Sequence, residues 1–267
     1  MSTESVNERT TRISDVSVEE ALYMINDEDA GVALAVRKQI PKIAAMVEAG
    51  VKTLQNGGRI FYCGCGTSGR IAVADAAECP PTYGVSTELV TAVIAGGAKA
   101  MINAAEGCED SREKGCEAFS QHGVCEKDMV IGISAAGRAP FVLAFMEKAK
   151  EIGCTVCAVV NNENTEMSKV ANIAVETLTG AEAVKGSTRM KAGTSQKLIL
   201  NMFSTTLFIR MGCTYKNYMV NMVPSNVKLR ARAISMVCDI LQLDAERAEA
   251  LLKEHDWNIK KAIKSCI

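Results

Sequence analysis

Three observations predict an α/β fold built on a parallel sheet. Short apolar runs recur along the chain, segments of helical period alternate with them, and two of the runs feed small-residue loops. The runs are Arg59–Cys63, Glu88–Ala95, Asp128–Ser134, Cys154–Val160 and Ala171–Val175, which predicts five strands. Strands that are apolar almost throughout are buried on both faces, as in a parallel sheet covered by helices. In such sheets ligands lie beyond the carboxyl ends of the strands.

The elements follow in order. Residues Met1–Val16 read as a mostly polar arm. Ser17 reads as a helix cap, and Glu20 completes a capping box for a helix over Val18–Asp27. Gly31–Gln55 is apolar at helical spacing, and Pro41 starts or kinks its second part. After the first strand come the loop Gly64–Gly69 and a helix over Arg70–Ala77. This helix is expected to stop at Glu78-Cys79-Pro80-Pro81, because a residue before proline is pushed out of the helical region. Lys99–Ala105 reads as a short helix, and Glu106–Glu113 as a dense acidic turn. The third strand feeds the loop Ser134–Arg138 and a helix through Lys150. A polar stretch over Asn161–Asn164 follows the fourth strand. The small, polar and basic loop Gly180–Gln196 precedes an apolar helix over Leu198–Met211. Helices over Asn226–Leu241, Ala245–His255 and Asn258–Ile267, the second capped by Asp244, form a small helical appendage. The organisation expected is a helical segment at 1–56 packing on the sheet, an α/β domain at 57–222 and a helical tail at 223–267.

Composition narrows the function. The chain has 267 residues and is 48% hydrophobic, enough for a sizeable core. It is 4% aromatic with a net charge of −1 and no basic block. These values argue against nucleic acid or an anionic membrane surface as partner. No apolar run has the length of a membrane span and the N-terminus is polar, so a cytoplasmic protein is expected. The eleven cysteines then read as reduced, buried, structural thiols rather than a metal or redox site, and no metal is expected.

The stretch Gly57–Gly84 carries the chemistry. Strand, glycine-rich loop and helix present backbone N–H groups and the positive end of a helix to an anion. Thr67 and Ser68 add hydroxyl donors. The loop matches neither dinucleotide nor Walker spacing, so a nucleotide is not favoured. Such turns are also common as plain structure, and the acidic turn could be a solvated loop favouring a helix N-terminus. Likewise Arg189 and Lys191 could form structural ion pairs.

The segments GCGTSGRIAVADAAECPPTYG, AAEGCEDSREKG and GSTRMKAGTSQKLILNMFSTTL, together with INDED at Ile25–Asp29, resemble the N-acetylmuramic acid 6-phosphate etherase family over nearly the whole chain. That family belongs to the sugar isomerase (SIS) domain proteins and is related to glucokinase regulatory protein. The resemblance implies a three-layer SIS sandwich, a homodimer, and no metal or redox cofactor. It implies removal of the D-lactyl ether of N-acetylmuramic acid 6-phosphate with water, by elimination from the ring-opened sugar and then water addition. Carried over residue by residue, it makes Glu78 the acid of the ECPPT motif and Glu109 the base of the EGxED motif. It places the phosphate on Thr67, Ser68 and Gly69, and assigns Ser187, Thr188, Arg189 and Lys191 to sugar or phosphate. The second loop departs from the family's A-S-G-R-T-P. Here Ala136 and Ala139 lack the two hydroxyls, Ser134 is the expected substitute, and Gly137 of the same loop is expected among the substrate-binding residues.

Two other classes stay open from sequence. One is a non-catalytic sugar-phosphate regulator, which needs no acid–base pair. The other is an aldose–ketose phosphate isomerase, which needs a base but no acid at the C3 oxygen.

Overall fold

The computed structural model describes residues 2–103 and 107–267. The chain divides into two compact units: Met1–Ala76 with Glu88–Ser204, and Ala77–Thr87 with Thr205–Ile267.

The first unit begins with an arm of two short 3-10 turns, Ser2–Glu4 and Glu8–Thr10. Then come α1 (Val18–Ala30), α2 (Val32–Arg37), α3 (Ile40–Gln55), β1 (Ile60–Gly64) and the start of α4 (Gly66–Tyr83). They are followed by β2 (Val90–Ile94), α5 (Arg112–Gln121), β3 (Met129–Ser134), α6 (Pro140–Glu151) and β4 (Thr155–Val160). Next are α7 (Glu166–Val170), β5 (Ile173–Glu176) and the start of α8 (Lys191–Arg210). The five strands form one sheet in the order β2-β1-β3-β4-β5, and every pair is parallel. This is the sheet the apolar runs predict.

Strand alternation assigns the two faces. Phe61, Cys63, Val130, Val156 and Ala158 point into one core with Phe141, Phe145 and Met146 of α6. On the other face Tyr62 meets Phe203 of α8 edge to face, with ring centroids 6.2 Å apart. Helices on both faces make three layers. Ser17 caps α1 by accepting from the Glu20 N–H, as the capping box requires. Pro41 lies in the first turn of α3, where its missing N–H costs no helical bond, so the long apolar segment is two helices.

Asp128 fixes where β1 and β3 start. Its carboxylate is 1% exposed and accepts from the Arg59 N–H (2.8 Å), the Arg59 guanidinium (2.8 Å) and the Cys125 N–H (2.9 Å). Burial alone would raise its pKa, but these donors outweigh burial and hold it below the usual 3.8. A depressed carboxylate contributes stability above its unfolded pKa and loses it as pH falls through the folded value. The wild-type melting temperature is therefore expected to drop as pH falls below about 4. Asp128→Asn should be less stable at pH 7 and lose less on acidification, as calorimetry across that range would show.

The structure corrects several boundaries. The helix after the first loop starts at Gly66, so Thr67, Ser68 and Gly69 form its first turn rather than a loop. It runs to Tyr83 with Pro80 and Pro81 inside rather than stopping at Glu78. Proline's φ is itself helical, so near a C-terminus only the few bonds back along the helix are lost. Here the end is held by other contacts. Gly84 N–H donates to Pro80 O at 2.8 Å, Asn221 donates to Tyr83 O at 2.5 Å, and the Tyr83 ring stacks on Phe208 at 4.6 Å. The last loop helix starts at Lys191, not Leu198, because the Glu182 carboxylate accepts from both the Lys191 and Ala192 N–H groups (2.9 and 3.0 Å). The expected helix at Lys99–Ala105 is a 3-10 turn over Gly97–Met101. Its Ala104 and Ala105, and Glu106 of the acidic turn, lie outside the described residues. Of the cysteines, Cys63, Cys79, Cys154, Cys157 and Cys213 are buried, whereas Cys125 and Cys266 are exposed.

The second unit holds the expected helical tail: α9 (Val227–Leu241), α10 (Ala245–Glu254) and α11 (Ile259–Lys264). Asn226, Asp244 and Asn258 cap them. Val237, Leu252, Ile259 and Ile263 make its core. Among the described residues no helix is long and apolar enough to cross a membrane.

Candidate active site

The loops that leave β1 and β3 at their carboxyl ends, the acidic turn and the loop before α8 enclose a cavity of about 530 Å³. Thr67 and Ser68 line it from the first turn of α4, and Ser134, Ala136 and Arg138 from the loop after β3. Glu109 and Asp110 of the acidic turn and Thr188 of the loop before α8 complete much of the wall. A hydrogen bond from the Phe141 N–H to Glu109 O (3.0 Å) ties the acidic turn to α6.

Close packing places the first turn of α4. A Cβ on Gly69 would stand 2.6 Å from Ile94 Cγ1 and 2.8 Å from Gly64 O, so only glycine lets the helix start against the end of β1. The Gly69 N–H donates to Cys65 O at 3.2 Å, whereas the N–H groups of Gly66, Thr67 and Ser68 precede the first bond of the helix, and the helix dipole adds positive character. In the second loop Gly137 has φ +66° and a Cβ there would meet Thr165 at 2.5 Å, so this position too requires glycine. The turn lets the Gly137 N–H donate to Ser134 Oγ at 3.1 Å. Ser134 only accepts in that bond, so its hydroxyl hydrogen stays available to an anion.

Ser68 differs. Its hydroxyl donates to Gln196 Oε1 at 2.8 Å, and the direction is fixed from far away. Thr177 O can only accept, so the Asn161 amide nitrogen must donate to it (3.0 Å). Asn161 Oδ1 therefore accepts from Gln196 Nε2 (3.0 Å), which leaves Gln196 Oε1 to accept from Ser68. All four residues are buried. The Ser68 hydrogen is committed to this brace, and what the residue offers an anion is its backbone N–H.

The other predicted residues divide. Thr67 is half-buried with a hydroxyl that has no partner among the described residues. Lys191 does not line the cavity. It is 4% exposed, and its Nζ lies 2.5 Å from Glu28 Oε2 in an ion pair that Arg9 joins from the arm. Arg189 is exposed and Ser187 half-buried, and neither lines the cavity. Glu78 is exposed on α4, in the stretch that belongs to the second unit. Sequence reasoning missed Arg138, Asp110, Cys65 and Glu4, all of which line the cavity. Arg138 and Asp110 sat in plain view beside singled-out positions, while Glu4 gave no signal in a polar arm. Burial first, then the nearby Glu109 and Asp110 carboxylates, push the Cys65 thiol up to about 12. It stays protonated near neutrality and is no nucleophile. Among the described residues no group of three or more His, Cys, Asp or Glu is arranged to hold a metal ion.

Residues 42–150 match the glucokinase regulatory protein N-terminal SIS domain. N-acetylmuramic acid 6-phosphate etherases of Clostridium beijerinckii and Clostridioides difficile are 45% and 46% identical over 98% of this chain and 86% of their own lengths. The Actinobacillus pleuropneumoniae etherase is 45% identical over the same shares. An Escherichia coli CFT073 protein solved as a complex has a TM-score of 0.55 at 18% identity, covering 74% of this chain and 95% of its own. A phosphoheptose isomerase from Francisella tularensis has a TM-score of 0.54 at 17% identity, covering 73% and 100%. These two show the fold.

Proposed function

Because the chain belongs to the N-acetylmuramic acid 6-phosphate etherase family, we propose that the cavity at the carboxyl ends of β1 and β3 is where the D-lactyl ether of N-acetylmuramic acid 6-phosphate is cleaved. The observation that carries this reading is Glu109, a carboxylate on the wall of a cavity whose other walls offer Thr67, Ser134 and a helix N-terminus. The enzyme is a lyase that releases D-lactate and leaves N-acetylglucosamine 6-phosphate.

The backbone N–H groups of the α4 first turn, with the Thr67 and Ser134 hydroxyls, bind the phosphate. Arg138 supplies the positive charge. Glu109 removes the C2 proton, made acidic by the C1 aldehyde of the open sugar. Glu78 protonates the departing lactyl oxygen. Its support is the match of its motif to the family's, in which that Glu is the acid. Water then adds to the unsaturated aldehyde. Each positioned acid or base contributes about 10²–10⁴-fold. Thr188 serves the sugar or phosphate from the loop before α8, while a binding role for Ser187 and Arg189, which do not line the cavity, rests on their motif match alone. Lys191 acts on that loop through its ion pair with Glu28, whose own motif is INDED. The chain works as a cytoplasmic homodimer in the breakdown of peptidoglycan amino sugar. Exposed Val18, Leu22 and Tyr23 on α1 are apolar surface of the kind that self-association covers.

Incubation with N-acetylmuramic acid 6-phosphate is expected to release D-lactate. Binding without release would favour the regulator, and ketose formation the isomerase. Ser134→Ala, which deletes the hydroxyl standing in for Ala136 and Ala139, is expected to raise KM about tenfold or more, with kcat little changed. Steady-state kinetics check this.

A further inference from the structure

We propose that Glu4, carried on the N-terminal arm, is a substrate-binding residue that accepts hydrogen bonds from the uncharged, donor-bearing part of the sugar. This rests on the etherase reading of the cavity. Glu4 is exposed, lines the cavity, and has no partner of its own among the described residues.

The arm is placed, not loose. Thr3 is fully buried, although a polar segment of this kind has little apolar surface to bury. The Asn162 amide nitrogen donates both to Thr3 Oγ1 (2.8 Å) and to Ala135 O (3.0 Å), so one side chain clasps the arm to the loop after β3. Farther along, Asn7 donates to Ala181 O (3.2 Å) and Thr10 to Ala183 O (2.8 Å). Glu4 is thus fastened on both sides, next to the pinned Thr3, with its carboxylate left to the cavity.

Charge decides what that carboxylate meets. The substrate bears a phosphate and a lactyl carboxylate, and Glu4 repels both. Among its remaining polar groups the hydroxyls and the acetamido N–H can donate, and an ionised carboxylate only accepts, so these are the groups it can hold. Arg138 is the one cation among the cavity's described lining residues, so the anionic ends belong to it and to the α4 N-terminus. Glu4 reads the sugar between them.

The test compares Glu4→Gln and Glu4→Ala with wild type. Loss of a hydrogen bond to a charged group is expected to raise KM about tenfold or more in Glu4→Ala, and less in Glu4→Gln, which keeps an acceptor. The expected kcat stays within about threefold, the melting temperature is unchanged, and inhibition by inorganic phosphate is unaltered. Thr3→Val, which frees the arm, should raise KM in the same direction. An unchanged KM in Glu4→Ala overturns the proposal. So does a fall in kcat at constant KM, or a change in phosphate inhibition equal to that in KM. Calorimetry with the product N-acetylglucosamine 6-phosphate reads the same contact without turnover. Should wild type release no lactate, the etherase reading fails on its own, while weaker product binding by Glu4→Ala still decides the role of Glu4.

Discussion

Glu109→Gln is expected to lower kcat for lactate release by about 10²–10⁴-fold, because the amide keeps the shape of the wall but has no site for the C2 proton. Glu109 is exposed, so the melting temperature should not move. A second measurement separates its role from that of Glu78. In heavy water the product of wild type acquires deuterium at C2. Glu109→Gln should stop both that exchange and ether cleavage. Glu78→Gln should slow cleavage by a similar factor yet leave exchange at C2 intact, since it lacks only the acid. Exchange surviving in Glu109→Gln would assign the base to another group, with neighbouring Asp110 the first to examine.

Lys191→Met is expected to cost about 3 kcal/mol of stability, the lower end for breaking a buried ion pair. The side chains of Lys191 and Glu28 are 5% and 2% exposed, so removing the ammonium strands a carboxylate. Arg9 still reaches Glu28 from its exposed position and limits the loss. Burial pushes the Glu28 pKa up, but hydrogen bonds from Lys191 and Arg9 outweigh it and hold the carboxyl below the usual value. The pair therefore stabilises the fold above about pH 4.5 and fades as pH falls through the lowered value. Urea unfolding should show a large loss for Lys191→Met at pH 7 and a smaller one near pH 4. The Glu28→Gln, Lys191→Met double variant should lose less than the sum of the two single losses.

These residues mark how far the sequence could be read. The five strands were legible because each is a short apolar run, and their parallel pairing follows from alternation with helices, whereas the strand order came only with the structure. Glu109 and the two small-residue loops were legible as motifs, and the cavity gathers them. What escaped depends on partners far along the chain. Whether Ser68 donates to a ligand or to protein turns on Gln196 and, behind it, Thr177. The family's third motif reads as one basic ligand loop, yet its Lys191 serves Glu28, and Gly186 and Thr188 are the motif residues that line the cavity. The prolines after Glu78 read as a stop because the contacts of Tyr83 with Phe208 and Asn221 leave no local trace. Glu4 was invisible because an isolated acidic residue in a polar arm has no periodicity.

The clasps on the arm also set an order of events during synthesis. Thr3 awaits Asn162, Asn7 awaits Ala181, and Glu28 awaits Lys191, so residues made before the sheet are among the last to find their places. Closing loops of that span is entropically costly, and contacts so distant slow folding. A ribosome-bound chain lacks the finished cavity until the start of α8 has emerged.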